Sequence, residues 1–151
     1  MLQEGDVVPD FTLKNQKGED VSLSDMTGKK WVLYAYPKDD TPGCTLEAQD
    51  FTRLKADFDA AGVALWGISK DSVGSHEKFC GKYNLSVSLL SDPDAALLTP
   101  LGAWGEKKNY GKTYMGIIRS TYLIDGSGRL LKIWRNVRAK GHAEKVLDAV
   151  G

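Results

Sequence analysis

The chain has 151 residues, 42% apolar and 26% charged, the balance of a globular domain able to bury its own core. Its 20 basic and 20 acidic side chains cancel to zero net charge, which argues against a nucleic-acid or membrane-surface partner. Two cysteines are too few for a disulfide scaffold, and no apolar run approaches the roughly 18 residues of a membrane span.

The opening MLQEGDVVPD has neither the basic region nor the apolar stretch of a signal peptide, so a cytoplasmic protein with reduced thiols is expected. No repeat or linker follows, and a single domain over residues 1–151 is expected. WVLYAY, from Trp31 to Tyr36, is a continuous apolar run stopped by Pro37, as in a strand buried on both faces. A helix then begins near Cys44, because Ala48, Phe51, Leu54, Phe58 and Ala61 recur at three- and four-residue steps. VALWGIS (Val63 to Ser69) reads as a second strand, Ser75 to Tyr83 as a shorter helix, and VSLLSD (Val87 to Asp92) as a third strand. Lys107, Lys108 and Lys112 mark a basic stretch that reads as a solvated loop rather than a phosphate site. STYLID and RLLKIWRN flank Asp125-Gly126-Ser127-Gly128, a hairpin signal, and Ala143, Leu147 and Val150 mark a C-terminal helix. Alternating strands and helices closed by a hairpin predict an α/β fold with a central mixed sheet flanked by helices. A thioredoxin-like arrangement fits this order, although periodicity alone does not single it out.

The chemistry concentrates at YPKDDTPGCTLEAQDF, Tyr36 to Phe51. With Thr41 as N-cap, Pro42 takes the first helical position and Cys44 falls in the first turn. A thiol there lies beside unpaired backbone N–H groups and the positive end of the helix dipole, a setting that favours a nucleophilic thiolate. Asp39 and Asp40 oppose this, and Lys38 offsets them only in part. Local context leaves two readings open: a reactive thiol, or a small buried residue behind a Pro-Gly turn.

Pro37, Thr41 and Cys44 form P-x-x-x-T-x-x-C, which resembles the active-site motif of peroxiredoxins; Glu47 and Phe51 match that family as well. Further on, KTYMGIIRSTYLID places Arg119 where the family has its catalytic arginine. The longer agreement, YPKDDTPGCTLEA with WGEKKNYGKTYMGIIRSTYLID, resembles the peroxiredoxin Q branch, the bacterioferritin comigratory proteins, and extends from DFTL to the final hairpin. The resemblance implies a thioredoxin-like fold and a thiol-dependent peroxidase acting on hydroperoxides without metal, haem or flavin. Cys44 would be the nucleophile. The Thr41 hydroxyl, the Cys44 backbone N–H and Arg119 would be donors to the peroxide oxygens, Pro37 would shield the loop, and Glu47 would orient the arginine. Trp104 and Tyr110 would be core residues or walls of the peroxide pocket.

The sulfenic acid so formed must be reduced. Where many members of the branch carry a resolving cysteine, this chain has Gln49. A second group places it in the following helix, which implies Cys80, an intrachain disulfide, recycling by thioredoxin or a similar dithiol, and a monomer. Against these stand a packed-core role for Cys80 beside Phe79 and Tyr83, and a His76–Cys80 metal pair, for which further ligands are not evident. A Cys–His hydrolase would need His76 or His142 beside Cys44. A thiol–disulfide oxidoreductase would want a C-x-x-C, which is absent. The remaining alternative is a non-catalytic thioredoxin-like binding module.

Overall fold

The computed structural model describes residues 1–150. Its frame is a seven-stranded mixed sheet built outward from β3 (Lys30–Ala35), whose apolar run is buried from Trp31 onward. On one side β3 pairs in parallel with β4 (Val63–Ser69), reached through α1 (Pro42–Ala60). β4 pairs in parallel with β5 (Ser88–Ser91), reached through α2 (Val73–Tyr83). Parallel neighbours require such crossovers, and the helical patterns between the strands supply them. On the far side of β5 lie β1 (Thr12–Asn15) and then β2 (Asp20–Ser22), both antiparallel. On the other side of β3, β8 (Ser120–Ile124) and β9 (Leu130–Trp134) form the expected hairpin. Its turn closes on Asp125, whose Oδ1 accepts from the backbone N–H groups of Ser127 and Arg129 and from the Ser127 hydroxyl. The last helix is α4 (His142–Val150).

Alternation along β3 divides the interior in two. Trp31, Leu33 and Ala35 face a cluster with Ile68, Leu90, Leu98, Tyr122 and Ile124. A 3₁₀ turn (Leu23–Met26) and the short α3 (Leu98–Leu101) contribute to this cluster. Val32, Tyr34 and Tyr36 face the opposite cluster with Phe51, Phe58, Phe79, Leu89 and Val146, and both cysteines belong to this second cluster. Tyr34 stacks on Phe51 with ring centroids 4.6 Å apart, joining β3 to α1.

Three expectations change. The basic stretch is a hairpin rather than a loop: β6 (Trp104–Asn109) pairs with β7 (Lys112–Ile117) as a separate two-stranded sheet. Tyr110 and Gly111 turn it with φ of 51° and 77°, and a tyrosine in the first left-handed position hides the usual Asn-Gly hairpin signal. Both strands are largely exposed, so no buried face imprints an alternating pattern on them. Tyr110, at the tip, is 97% exposed and is therefore neither core nor pocket wall. Trp104 is half-buried against the first cluster, with Lys70 Nζ 4.1 Å from its ring centroid. Ala61 lies just beyond α1 and is exposed, so the buried stripe of that helix ends at Phe58. No helix among the described residues is long and apolar enough to cross a membrane.

Candidate active site

Cys44 sits in the first turn of α1 and is buried. Thr41 occupies the N-cap, with extended φ and ψ of −104° and 155°, and its carbonyl accepts from Thr45 N–H at 2.8 Å. Its side chain does not cap the helix. The hydroxyl instead donates to the Lys38 carbonyl at 2.8 Å, closing the loop and leaving its lone pairs free to accept. Pro37, half-buried and trans, links the end of β3 to this loop.

Arg119 enters from the bend between β7 and β8 and holds the two α1 residues with separate nitrogens. Nη2 lies 3.3 Å from Cys44 Sγ, and Nη1 donates to Glu47 Oε1 at 2.5 Å. Gly43 permits this approach, since a Cβ there would lie 3.1 Å from Arg119 Nη2. Glu47 is fully buried, and its Oε2 finds no hydrogen-bond partner among the described residues. Burial pushes the Glu47 carboxyl up to about 7 against the opposing pull of Arg119. Burial works against the Arg119 charge too, but Glu47 and the Cys44 sulfur outweigh it and raise its value. The planar guanidinium thus presents a fixed positive fork to the sulfur.

Cys80 lies in the last turn of α2, half-buried, its thiol free like that of Cys44. Burial, with the Asp39 charge adding to it, pushes this thiol up to about 11. In the folded helix Cys80 is therefore protonated near neutral pH and weakly nucleophilic.

The two aspartates are turned toward α2 rather than left beside Cys44. Asp39 accepts from the Tyr36 hydroxyl at 2.6 Å, the Ser75 hydroxyl at 2.7 Å and His76 Nδ1 at 2.7 Å. Burial pushes the Asp39 carboxyl up, but these hydrogen bonds and the His76 charge prevail and hold it below its ordinary value. Asp40 accepts from Lys82 Nζ at 2.8 Å and from the Tyr83 hydroxyl. His76 spends its other nitrogen on the Leu90 carbonyl at 2.9 Å, which removes it as a metal partner for Cys80. His142 pairs with the Thr121 hydroxyl at 2.7 Å, so neither histidine hydrogen-bonds Cys44.

Two further residues carry charges or hydroxyls that feel the thiols, one read from the sequence as a solvated loop lysine and the other as plain core. Lys107 donates to the Ile117 carbonyl at 2.8 Å across its hairpin. Burial lowers its ammonium pKa, the Arg119 charge adds to this and the Cys44 sulfur opposes it. Tyr34, buried with an unpartnered hydroxyl among the described residues, is raised first by burial and then by the charges of Glu47, Cys80 and Cys44. It looks like one more apolar core position in WVLYAY, and only the fold brings it within electrostatic reach of both cysteines.

A model of the AhpC/TSA family matches residues 5–133. The chain is 48% identical over 149 residues to a putative peroxiredoxin bcp of Helicobacter pylori, covering 99% of this chain and 98% of that one. It is 47% identical over 149 residues to the peroxiredoxin Bcp of Bacillus subtilis, covering 99% and 95%. Among solved structures, the bacterioferritin comigratory protein of Xanthomonas campestris, studied for alkyl peroxide reduction, superposes with a TM-score of 0.88 at 41% identity, covering 93% of this chain and 89% of that one. A cysteine-to-serine mutant of Xylella fastidiosa PrxQ superposes with a TM-score of 0.94 at 37% identity, covering 99% and 96%.

Proposed function

Because this chain belongs to the AhpC/TSA family, among the peroxiredoxins of the Bcp and PrxQ branch, we propose that Cys44 is its peroxidatic nucleophile and Cys80 its resolving cysteine. The protein is a thiol-dependent peroxidase with a thioredoxin-like fold. The observation that carries the residue assignment is the Arg119 fork, with one nitrogen at the Cys44 sulfur and the other locked on buried Glu47.

In this reading the Cys44 thiolate attacks one oxygen of a hydroperoxide. An S–O bond forms as the O–O bond breaks, and the departing alkoxide or hydroxide takes up a proton. Arg119 and the Cys44 backbone N–H stabilise the charge developing on the oxygens, and the Thr41 hydroxyl accepts from the peroxide O–H. Glu47 holds Arg119 in place, and Pro37 limits access of water to the loop. The thiol of Cys80 then attacks the sulfenic sulfur; an S–S bond forms and water leaves. A thioredoxin-like dithiol reduces the disulfide, taking its place as the oxidised partner. Sulfur supplies all the electrons.

Since Cys80 in folded α2 is half-buried and protonated, resolution goes through local unwinding of the first turn of α1 and of part of α2, which hydrates the thiol and lets the Cα atoms come within about 7 Å. An intrachain disulfide needs no partner subunit, so the protein works as a monomer, with residues 1–151 as one domain. Hydrogen peroxide and organic hydroperoxides are its substrates, the cytoplasm is its compartment, and neither nucleic acid nor a membrane takes part.

Stopped-flow mixing of reduced protein with hydrogen peroxide tests the assignment. Wild type should oxidise one thiol orders of magnitude faster than free cysteine, and Cys44→Ser should abolish turnover. Substantial turnover by Cys44→Ser would remove Cys44 from its role. Light scattering that gave a dimer mass in both redox states would contradict the monomer.

A further inference from the structure

Asp39 and Asp40 are neighbours in the loop that delivers Cys44, yet they grip opposite ends of the helix that carries Cys80. Asp39 holds the first turn of α2 through Ser75 and His76, and Asp40 holds the last turn through Lys82 and Tyr83. Resting on the reading of Cys80 as the resolving thiol, we propose that both are positioning residues for the resolving step: Asp39 a fixed hinge, and Asp40 the release that sets how often the last turn of α2 comes free.

The two grips differ in kind. Asp39 and His76 are buried, and the imidazole is fixed at its other nitrogen to β5 through the Leu90 carbonyl. Because Nε2 faces a carbonyl it must carry a proton, and the 2.7 Å between Nδ1 and the Asp39 carboxylate requires a second proton between those atoms. Breaking this pair would strand a buried charge, so the first turn stays docked. Asp40, Lys82 and Tyr83 are solvent-accessible, the Lys82 and Asp40 side chains 58% and 43% exposed. Such a pair breaks readily and is screened by salt.

The release also acts at the residue that must move. The Cys80 carbonyl accepts the N–H groups of both Asn84 and Leu85, so the closure of the last turn is centred on Cys80 itself. Gly81, between Cys80 and Lys82, weakens the helix at that point. Opening at the Asp40 end therefore frees Cys80 while the Asp39 end keeps α2 tethered within reach of Cys44.

The test measures two rates by rapid quench, alkylation and mass spectrometry: oxidation of Cys44 by hydrogen peroxide, and conversion of its sulfenic acid to the disulfide. Lys82→Met and Tyr83→Phe remove contacts that the opened state has already lost. Each should accelerate disulfide formation about two- to fivefold while leaving the oxidation rate unchanged. Lys82→Arg, which keeps the charge, should remain near wild type. About 1 M salt, where the Debye length is roughly 3 Å, should accelerate wild type and leave Lys82→Met unaffected. If Cys80→Ser loses turnover with thioredoxin but Lys82→Met and Tyr83→Phe resolve at the wild-type rate with the wild-type salt response, the release role is wrong and the Cys80 assignment stands. If Cys80→Ser turns over with thioredoxin at the wild-type rate, both fall together.

Discussion

Arg119 serves Cys44 and Glu47 with different nitrogens, so its shape matters as much as its charge. Arg119→Lys keeps one positive charge but cannot reach both partners in one plane. The peroxide step should slow by about 10- to 100-fold in that variant, read from the first phase of thiol oxidation. An unchanged rate would mean that the guanidinium does not face the reacting oxygens. At this scale a motif of fixed residue types at set spacings singled out Cys44, Glu47 and Arg119, which the fold brings into contact, and Thr41 at the N-cap of the same helix. Orientation was not legible. Thr41 has the right residue type for a side-chain cap, yet its hydroxyl bonds Lys38, and the carboxylates of Asp39 and Asp40 turn toward α2. Which way a short polar side chain points depends on partners distant in the chain, and Ser75, His76, Lys82 and Tyr83 lie too far along the sequence to betray themselves.

Among the elements, α1 and α2 present their cysteines in opposite turns, one near the start and one near the end. If the disulfide forms by unwinding, amide hydrogens of residues 41–50 and 76–83 should exchange faster in the oxidised protein than in the reduced one. Within α2 the loss should be greater beyond Cys80 than around Ser75 and His76. Equal protection in both redox states would remove the unwinding step. The buried strands β3, β4, β5 and β8 were readable because burial on both faces leaves short runs that are mostly apolar. The hairpin of β6 and β7 and the short edge strands β1 and β2 were not. They expose much of their surface, so no hydrophobic period marks them, and their pairing depends on turns and neighbours rather than on composition.

For the molecule as a whole, two buried groups titrate in opposition. Glu47 is pushed up to about 7 from an ordinary 4.5 by burial, so its contribution to stability is full below pH 4.5 and is lost as the pH rises through 7. His142 is pulled down to about 4 from an ordinary 6.5, first by burial and then by the charges of Arg119 and Lys145; its contribution is full above pH 6.5 and is lost as the pH falls through 4. Between pH 6.5 and 4.5 the two slopes oppose each other, and urea unfolding should separate them. His142→Gln should become more stable on acidification and Glu47→Gln less stable, each by on the order of 2 kcal/mol relative to the wild-type trend. Parallel curves for all three proteins would mean that neither group changes its proton affinity on folding. The division of the interior by the central sheet bears on endurance. Cys44 and Cys80 share one cluster, and the opposite cluster, with Trp31, Leu33, Leu98 and Tyr122, contains no sulfur that takes part in the cycle. If resolution goes by unwinding, each catalytic round would loosen one layer and leave the other as a mould against which the displaced turns re-form once the disulfide is reduced. On that reading the enzyme would melt a little of itself with every peroxide it consumes and still remember its shape.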